Sequence, residues 1–465
     1  MLSDWVVELS QWQFVLLGAL HVVFVPLTLG LALLLAGLET AAAFTGKACY
    51  LTAIHFWKRF FALNLVLMIG SRLPWLLQFG LYDSYFSHYA GDVFALPLAL
   101  EALTSLATIA TLFGPYWFGW DKLGKYQHLI LIWLIAIAVH VSVFWVTLSS
   151  AWLQNPVGAI FDPRAYRLEM VDFSTVLHNP VALGEFIHFC AGSHAAAAGA
   201  ILAMAIYRLR QSHADPIART GFNIAACWGF AALLVSALIP SPTPDSNLPA
   251  QTLKQAALQG LSSPSAQHNL ENAIRSGIVA YRALQILRDD NQDPQIIATF
   301  NEHRADLGYA WLLKPIHKAI VDASDKQIQL AAQSALPRHP AWLYWLHQTM
   351  IAGGIVGLLG FAWAAWQSFR QHPLSNLTLT WNLSLGALPW ISGALGLWLS
   401  IAAQQPWIIV GQLPASMGLS TLTVNSVAFS LIGYVGIYAL LLLGAGLLLK
   451  QWILTPASAE TGAHA

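Results

Sequence analysis

Nine stretches of this chain are each about 20 residues long or longer and nearly free of charge, which is what a helix needs to cross the hydrocarbon core of a bilayer. They lie at roughly 12–36, 60–80, 93–117, 128–152, 181–207, 222–239, 341–366, 381–401 and 421–449. The rest of the composition agrees. Only 9% of the 465 residues are charged, against about 25% in a soluble domain, which excludes a soluble globular protein. Twenty-two Lys and Arg balance 22 Asp and Glu, which excludes a nucleic-acid binder and a charge-rich disordered chain. The first stretch is too long for the core of a signal peptide, and Asp4 and Glu8 precede it where a signal would be basic. The expected fold is an all-α polytopic membrane helical bundle of about nine transmembrane helices.

Charge sets its orientation. Lys47, Lys58, Arg59, Lys122, Lys125, Arg208, Arg210, Arg219 and Arg370 fall in the connections after the first, third, fifth and seventh stretches, and Lys450 follows the ninth. The opposite short connections offer only Arg164 and Arg167. The positive-inside rule therefore places the N-terminus outside and the C-terminus in the cytoplasm. Three parts follow: six helices over 1–239, an outside loop over 240–340, and three helices with a short tail over 341–465. The loop holds 18 of the 44 charged residues. It opens with the turn-rich SPTPDSNLP (241–249) and shows helical periodicity over 272–287 and 295–313. A structured loop of this size on one membrane face is usually functional; the plainer alternative is a solvated spacer.

Ionisable groups within the spans are costly and mark candidate functional positions. They are His21, Arg72, Glu101, His140, Glu185, His188 and His194, with Glu39 near a helix end. At 1.5 Å per residue, His21, Arg72, Glu101, His188 and Met350 all fall about 10–14 Å from the outer end of their helices, in one layer. His and Met are axial haem ligands, and a His/Met pair suits a low-spin electron-transfer haem. His188 and Met350 on separate helices suit one macrocycle. Glu185, one turn before His188, suits orienting the imidazole or carrying a proton. Arg72 suits pairing with Glu101 or with a propionate. His140, near mid-membrane, has the side chain that titrates closest to neutral pH and suits a proton relay. The bland alternatives are hydrogen bonding between helices for His140 and His194 and core packing for Met350. Cys49, Cys190 and Cys227 form no CxxC and imply no disulfide framework. His188 and Cys190 point about 200° apart on a helix, which disfavours a copper site with His194.

Several longer stretches carry a resemblance. They are LHVVFVPLTLGLALLLAGLET (20–40), LQFGLYDSYFSHYAGDVFALPLALE (77–101), FGWDKLGKYQH (118–128), WLQNP (152–156), NPVALGEFIHF (179–189), DLGYAWLLK (306–314), LPWI (388–391) and QPW (405–407). In these the chain resembles subunit I of the cytochrome bd quinol oxidases over essentially its whole length. The resemblance implies a multi-pass protein of the bacterial cytoplasmic membrane that oxidises quinol at the outside loop. Electrons would pass through a low-spin haem b to one or two further haems (b and/or d), where oxygen becomes water. It further implies that His188 and Met350 hold the low-spin haem and that His21 holds a high-spin one. Glu101 matches an acid near that site, Lys254 a basic position of the quinol loop, and a second polytopic subunit is the expected partner.

The sequence also departs from that pattern. Ala394 stands where the family carries a haem-ligating glutamate, and Ile109 where a second acid is expected. Gln348 and Gln404 replace usual arginines, and Gln259 stands where the quinol loop has a glutamate. Arg72, Glu185, His140 and His194 are additions. Three readings stay open: a divergent oxidase, a relative with another electron donor, and an electron-transfer or structural partner lacking a complete oxygen-reducing site.

Overall fold

The computed structural model describes residues 4–212, 215–240, 248–261, 264–288, 293–336, 340–370 and 375–454. Most of the turn-rich stretch at 241–249 lies outside them. Six membrane helices come first: α1 (Asp4–Thr45), α2 (Ala48–Leu77), α3 (Ser84–Ala107), α4 (Lys125–Gln154), α5 (Ala182–Gln211) and α6 (Pro216–Leu238). Four helices of the 240–340 segment follow: α7 (Pro249–Leu258), α8 (Pro264–Arg288), α9 (Pro294–His303) and α10 (Asp325–Ser334). The membrane helices α11 (Pro340–Arg370), α12 (Asn376–Gln404) and α13 (Val424–Leu454) complete the chain. Among the described residues nine helices are long and apolar enough to span a membrane; each expected span falls on one of them, with 60–80, 222–239 and 421–449 overrunning their helices by one to three residues.

Two short antiparallel pairs are added at the ends of helices: β1 (Ala159–Asp162) with β2 (Arg167–Met170), and β3 (Trp407–Ile409) with β4 (Leu413–Pro414). Helix starts carry local signals. Asp215 accepts from the backbone N–H of Ile217 and Ala218 ahead of Pro216, and Ser324 with Gln327 forms a capping box on α10.

α5 is the hub. It packs against α1, α4, α6 and α12, and 67% of its apolar window is buried, against 11% for α13. Its small residues permit this. A Cβ on Gly199 would lie 2.1 Å from the Gly386 carbonyl oxygen of α12, and one on Gly30 of α1 would lie 2.1 Å from Ala197 Cβ. Close backbone approach through small residues is how membrane helices gain contact where lipid supplies no hydrophobic driving force.

The 240–340 segment is a folded cap in its described residues, not a solvated spacer. Leu270, Ile274, Trp311 and Leu313 are buried in one cluster with Phe94, Trp152 and Trp407 from the helix ends below. Its α7 packs on α8 within the cap, with Leu253 in the same cluster, and also lies against α11 and α12.

Candidate functional site

The first group of site residues joins α2, α3 and α4. Glu101 is fully buried, and a buried carboxylate is tolerable only with charge and hydrogen bonds to meet it. Arg72 pairs with both its oxygens. Ser105 and Ser142 each donate to Oε1, at 2.6 and 2.7 Å, and their hydroxyls lie 3.0 Å apart. Of the two partners the sequence offers Arg72, the structure supplies Glu101. A π-helical segment, Thr108–Phe113, follows α3 directly and contains Ile109; such segments recur near functional sites.

His21 sits beside this group through Ser71, the neighbour of Arg72. Its Nδ1 is 2.9 Å from the Ser71 hydroxyl, whose one hydrogen goes to the Met68 carbonyl at 2.9 Å. With its hydrogen on that carbonyl, Ser71 accepts from the Nδ1–H tautomer of His21, which carries a lone pair on Nε2.

His188 of α5 is held in the same tautomer by a different device. Its Nδ1 donates to the Ile239 carbonyl at 3.0 Å, with Ser236 at 3.4 Å. A carbonyl can only accept, so the proton is on Nδ1, and Nε2 has no hydrogen bond among the described residues. Such outer contacts orient a metal-ligating imidazole. Glu185 does not do this: the orienting role open to it belongs to the end of α6.

Met350 of α11 packs with Leu343, Leu346, Leu399 and, from the cap, Ala257 and Leu258. A Cβ on Gly396 would lie 3.2 Å from its sulfur. Gly192 lies one turn beyond His188 and Gly354 one turn beyond Met350, and a Cβ on either would meet nothing within 4 Å. A lone-pair imidazole nitrogen, a thioether, and smooth open strips next to each form a donor set that fits a flat macrocycle with iron.

Glu185 instead turns to α4. Ser150 donates to its Oε1 at 2.7 Å, while its Oε2 is buried with no hydrogen-bond partner. One turn further along α4, the Gln154 Oε1 accepts from Lys254 at 3.1 Å and its carbonyl accepts from Gln251 at 2.9 Å. Burial lowers the Lys254 ammonium below the usual lysine range, and the nearby Glu185 carboxylate pulls it back up. Gln259 is exposed at the C-terminal end of α7.

His140 and His194 form a pair of their own, with Nε2 atoms 3.1 Å apart. His140 Nδ1 donates to the Ala136 carbonyl at 2.6 Å. His140 Nε2 is then the acceptor, His194 Nε2–H the donor, and His194 Nδ1 a buried acceptor without a partner. Neither ring offers a free Nε2, unlike His21 and His188. Ser142, two residues on, points away from this pair toward Glu101.

Two features escaped the sequence reading. One is the set of serines at i+4 or across helices from Glu101 and Glu185. The other is a buried triad near the far end of α4, where Glu39 accepts from Tyr116 at 2.9 Å and lies 2.8 Å from His128 Nδ1. A hydroxyl one turn from an intramembrane acid, as in Glu101 and Ser105, is the signal that was available. Among the described residues no three His, Cys, Asp or Glu side chains are grouped to hold a metal ion. At the neutral positions, Ala394 is exposed on α12 and Gln404 donates to the Ile408 carbonyl at 2.8 Å.

Comparison with known proteins covers nearly the whole chain. The family model described as cytochrome bd terminal oxidase subunit I matches residues 9–455. The chain is 31% identical over 500 residues to cytochrome bd-II ubiquinol oxidase subunit 1 of Escherichia coli (strain K12), covering 96% of each. It is 27% identical over 441 residues to cytochrome bd ubiquinol oxidase subunit 1 of Bacillus subtilis (strain 168), covering 93% of this chain and 90% of that one. The solved structure of bd oxidase from Geobacillus thermodenitrificans superposes with a TM-score of 0.74 at 18% identity, over 97% of this chain and 99% of that one, a likeness of fold.

Proposed function

Starting from the fact that this chain belongs to the cytochrome bd terminal oxidase subunit I family, we propose that it is the haem-bearing subunit of a quinol-oxidising terminal oxidase in the bacterial cytoplasmic membrane. Electrons from quinol enter at the face carrying the 240–340 cap, which is the outer face, with the N-terminus on the same side. Oxygen leaves as water. The observation that carries this reading is the matched pair of imidazoles: His21 and His188 are both fixed with the proton on Nδ1 and the lone pair on Nε2.

His188 and Met350 hold the low-spin haem b, and His21 a high-spin haem, b or d. When bound, these groups supply one-electron transfer and oxygen reduction. The chain's own residues do the rest. Lys254 presents an ammonium to the quinol oxygen. Arg72 pairs with the buried Glu101, and the Ser142 and Ser105 hydroxyls lead to its Oε1, so Glu101 is placed to accept and pass on protons near His21. The relay expected of His140 ends at His194, whose Nδ1 takes up one proton. A second polytopic subunit, like subunit II of the family, and lipid share the exposed faces of α13 and α11.

A second reading is favoured by Ala394, which brings no ligand to α12: an electron-transfer or structural partner without a complete oxygen-reducing site. Extraction and counting of haems per chain, with reduced-minus-oxidised spectra and carbon monoxide, separates the two. The oxidase predicts several haems and a carbon monoxide response at a high-spin iron. A single low-spin haem with no response overturns it in favour of the partner subunit.

A further inference from the structure

Glu185, a half-buried carboxylate of the membrane region, is not accounted for by holding the bundle together. Glu101 takes three hydrogen bonds on Oε1, from Arg72 and two serines, and sets Oε2 against the Arg72 guanidinium as an ion pair. Glu185 uses Oε1 alone, on Ser150, and its Oε2 is shielded from water with nothing bonded to it. An unmade hydrogen bond at a buried carboxylate oxygen is among the more expensive omissions in a fold. It is explained if the partner is a substrate hydroxyl.

The surroundings favour that explanation. Ser150 and Gln154 are one turn apart on α4, about 6 Å along its axis, and they carry Glu185 and Lys254 respectively. The ammonium and the carboxylate act on each other electrostatically, yet Lys254 gives a hydrogen bond to the Gln154 amide rather than to the acid. α7, which bears Lys254, reaches the Met350 cluster one turn later through Ala257 and Leu258. Glu185 itself lies one turn from His188. The anion and the cation thus each lie about one helical turn from a residue placed at the electron-accepting haem or from its packing cluster. Beside Lys254, a cavity of about 10 Å³ lined by Gln251, Gln404 and Gln405 is the size of a single water. The cap offers no competing acid at Gln259, an exposed amide.

Resting on the quinol reading above, we propose that Glu185 is the base that takes the first proton from the quinol bound at Lys254. In that step the quinol O–H bond breaks and an O–H bond forms on Glu185 Oε2. The electron pair stays on the quinol oxygen, whose negative charge lies against the Lys254 ammonium, and no electron leaves the quinol until it is in this ionised form.

The test compares two electron donors in the purified complex. One is a short-chain ubiquinol, which must lose hydroxyl protons. The other is tetramethyl-p-phenylenediamine, which donates an electron without losing one. Glu185→Gln is expected to lower kcat with ubiquinol by about 100-fold, to leave KM within about twofold, and to leave oxygen consumption with the amine donor at the wild-type rate. Glu185→Asp is expected to recover part of the quinol rate. Wild-type quinol turnover in Glu185→Gln overturns the proposal. So does an equal fall with both donors, or loss of the low-spin haem spectrum, since either makes Glu185 a structural counter-ion. Wild-type complex that consumes oxygen with the amine but not with ubiquinol overturns the quinol reading itself, and wild-type complex inert with both overturns the oxidase reading.

Discussion

The two polar regions within the membrane are built on opposite terms. Around Glu101, in α2, α3 and α4, an ion pair and two hydroxyls close on one another, and Ser71 ties in the imidazole of His21. Around His188, Met350 and Glu185, where α5 and α11 meet the cap helix α7, atoms with strong bonding capacity are left open: His188 Nε2, Glu185 Oε2 and the Met350 sulfur. The same physics governs both. In a low-dielectric setting satisfied polar groups are rigid and unsatisfied ones costly, so the first region reads as a fixed electrostatic frame and the second as a place where other molecules complete the bonding.

The largest test of that contrast is His188→Ala. It should abolish the low-spin haem spectrum altogether while leaving the helices intact, because the side chain holds no other element except through Ile239 and Ser236. A retained spectrum would break the assignment. Next, in the closed region, Arg72→Ala strands a buried carboxylate and should cost about 3–5 kcal/mol of stability, measured by thermal unfolding in detergent. Arg72→Ala with Glu101→Gln should recover much of that loss, because the uncompensated charge is gone. If Arg72→Ala alone is neutral, the frame is not a frame.

A smaller effect distinguishes open space from loose packing. Gly354→Leu enters a region where a Cβ meets nothing, so the haem-free chain should change by less than about 0.5 kcal/mol. Haem content, read from the pyridine haemochrome spectrum, should fall. Loss of stability without loss of haem would place the macrocycle elsewhere.

The smallest effect lies between α2 and α3, outside the spans, at Asp83. Burial raises its carboxyl to about 7, against the hydrogen bond from Gln78 that acts in the other direction. The folded protein therefore keeps a proton there that the unfolded chain releases above its ordinary value of 3.8. Stability should fall as pH rises from about 4 to about 7 and level off above that, with a slope of at most about 1.4 kcal/mol per pH unit. Asp83→Asn should flatten this part of the profile, and an unchanged slope would remove Asp83 as its source.

Much of the molecule was legible in the chain. The nine spans were, because each is a long apolar run and each helix satisfies its backbone locally. The pairing of Arg72 with Glu101 was legible as one of two options, since few charges share that depth. The cap was legible as structured from its helical periodicity. What was not legible is which partner each polar group takes. Glu185 suggested service to His188, three residues away in sequence, but bonds Ser150 on another helix, while the imidazole is steered by the carbonyl of Ile239. His140 suggested a proton relay, and which group it faces, His194, is set by the rotation of α4.

The division has one cause. In hydrocarbon no water can complete a backbone hydrogen bond, so the apolar runs determine the nine membrane-spanning helices found among the described residues and the order in which they come. The rotation of each helix about its axis is a different matter. It is decided by contacts between residues far apart in sequence, such as Gly199 against Gly386 and Gly30 against Ala197, and only that rotation settles which carboxylate is closed and which is left open.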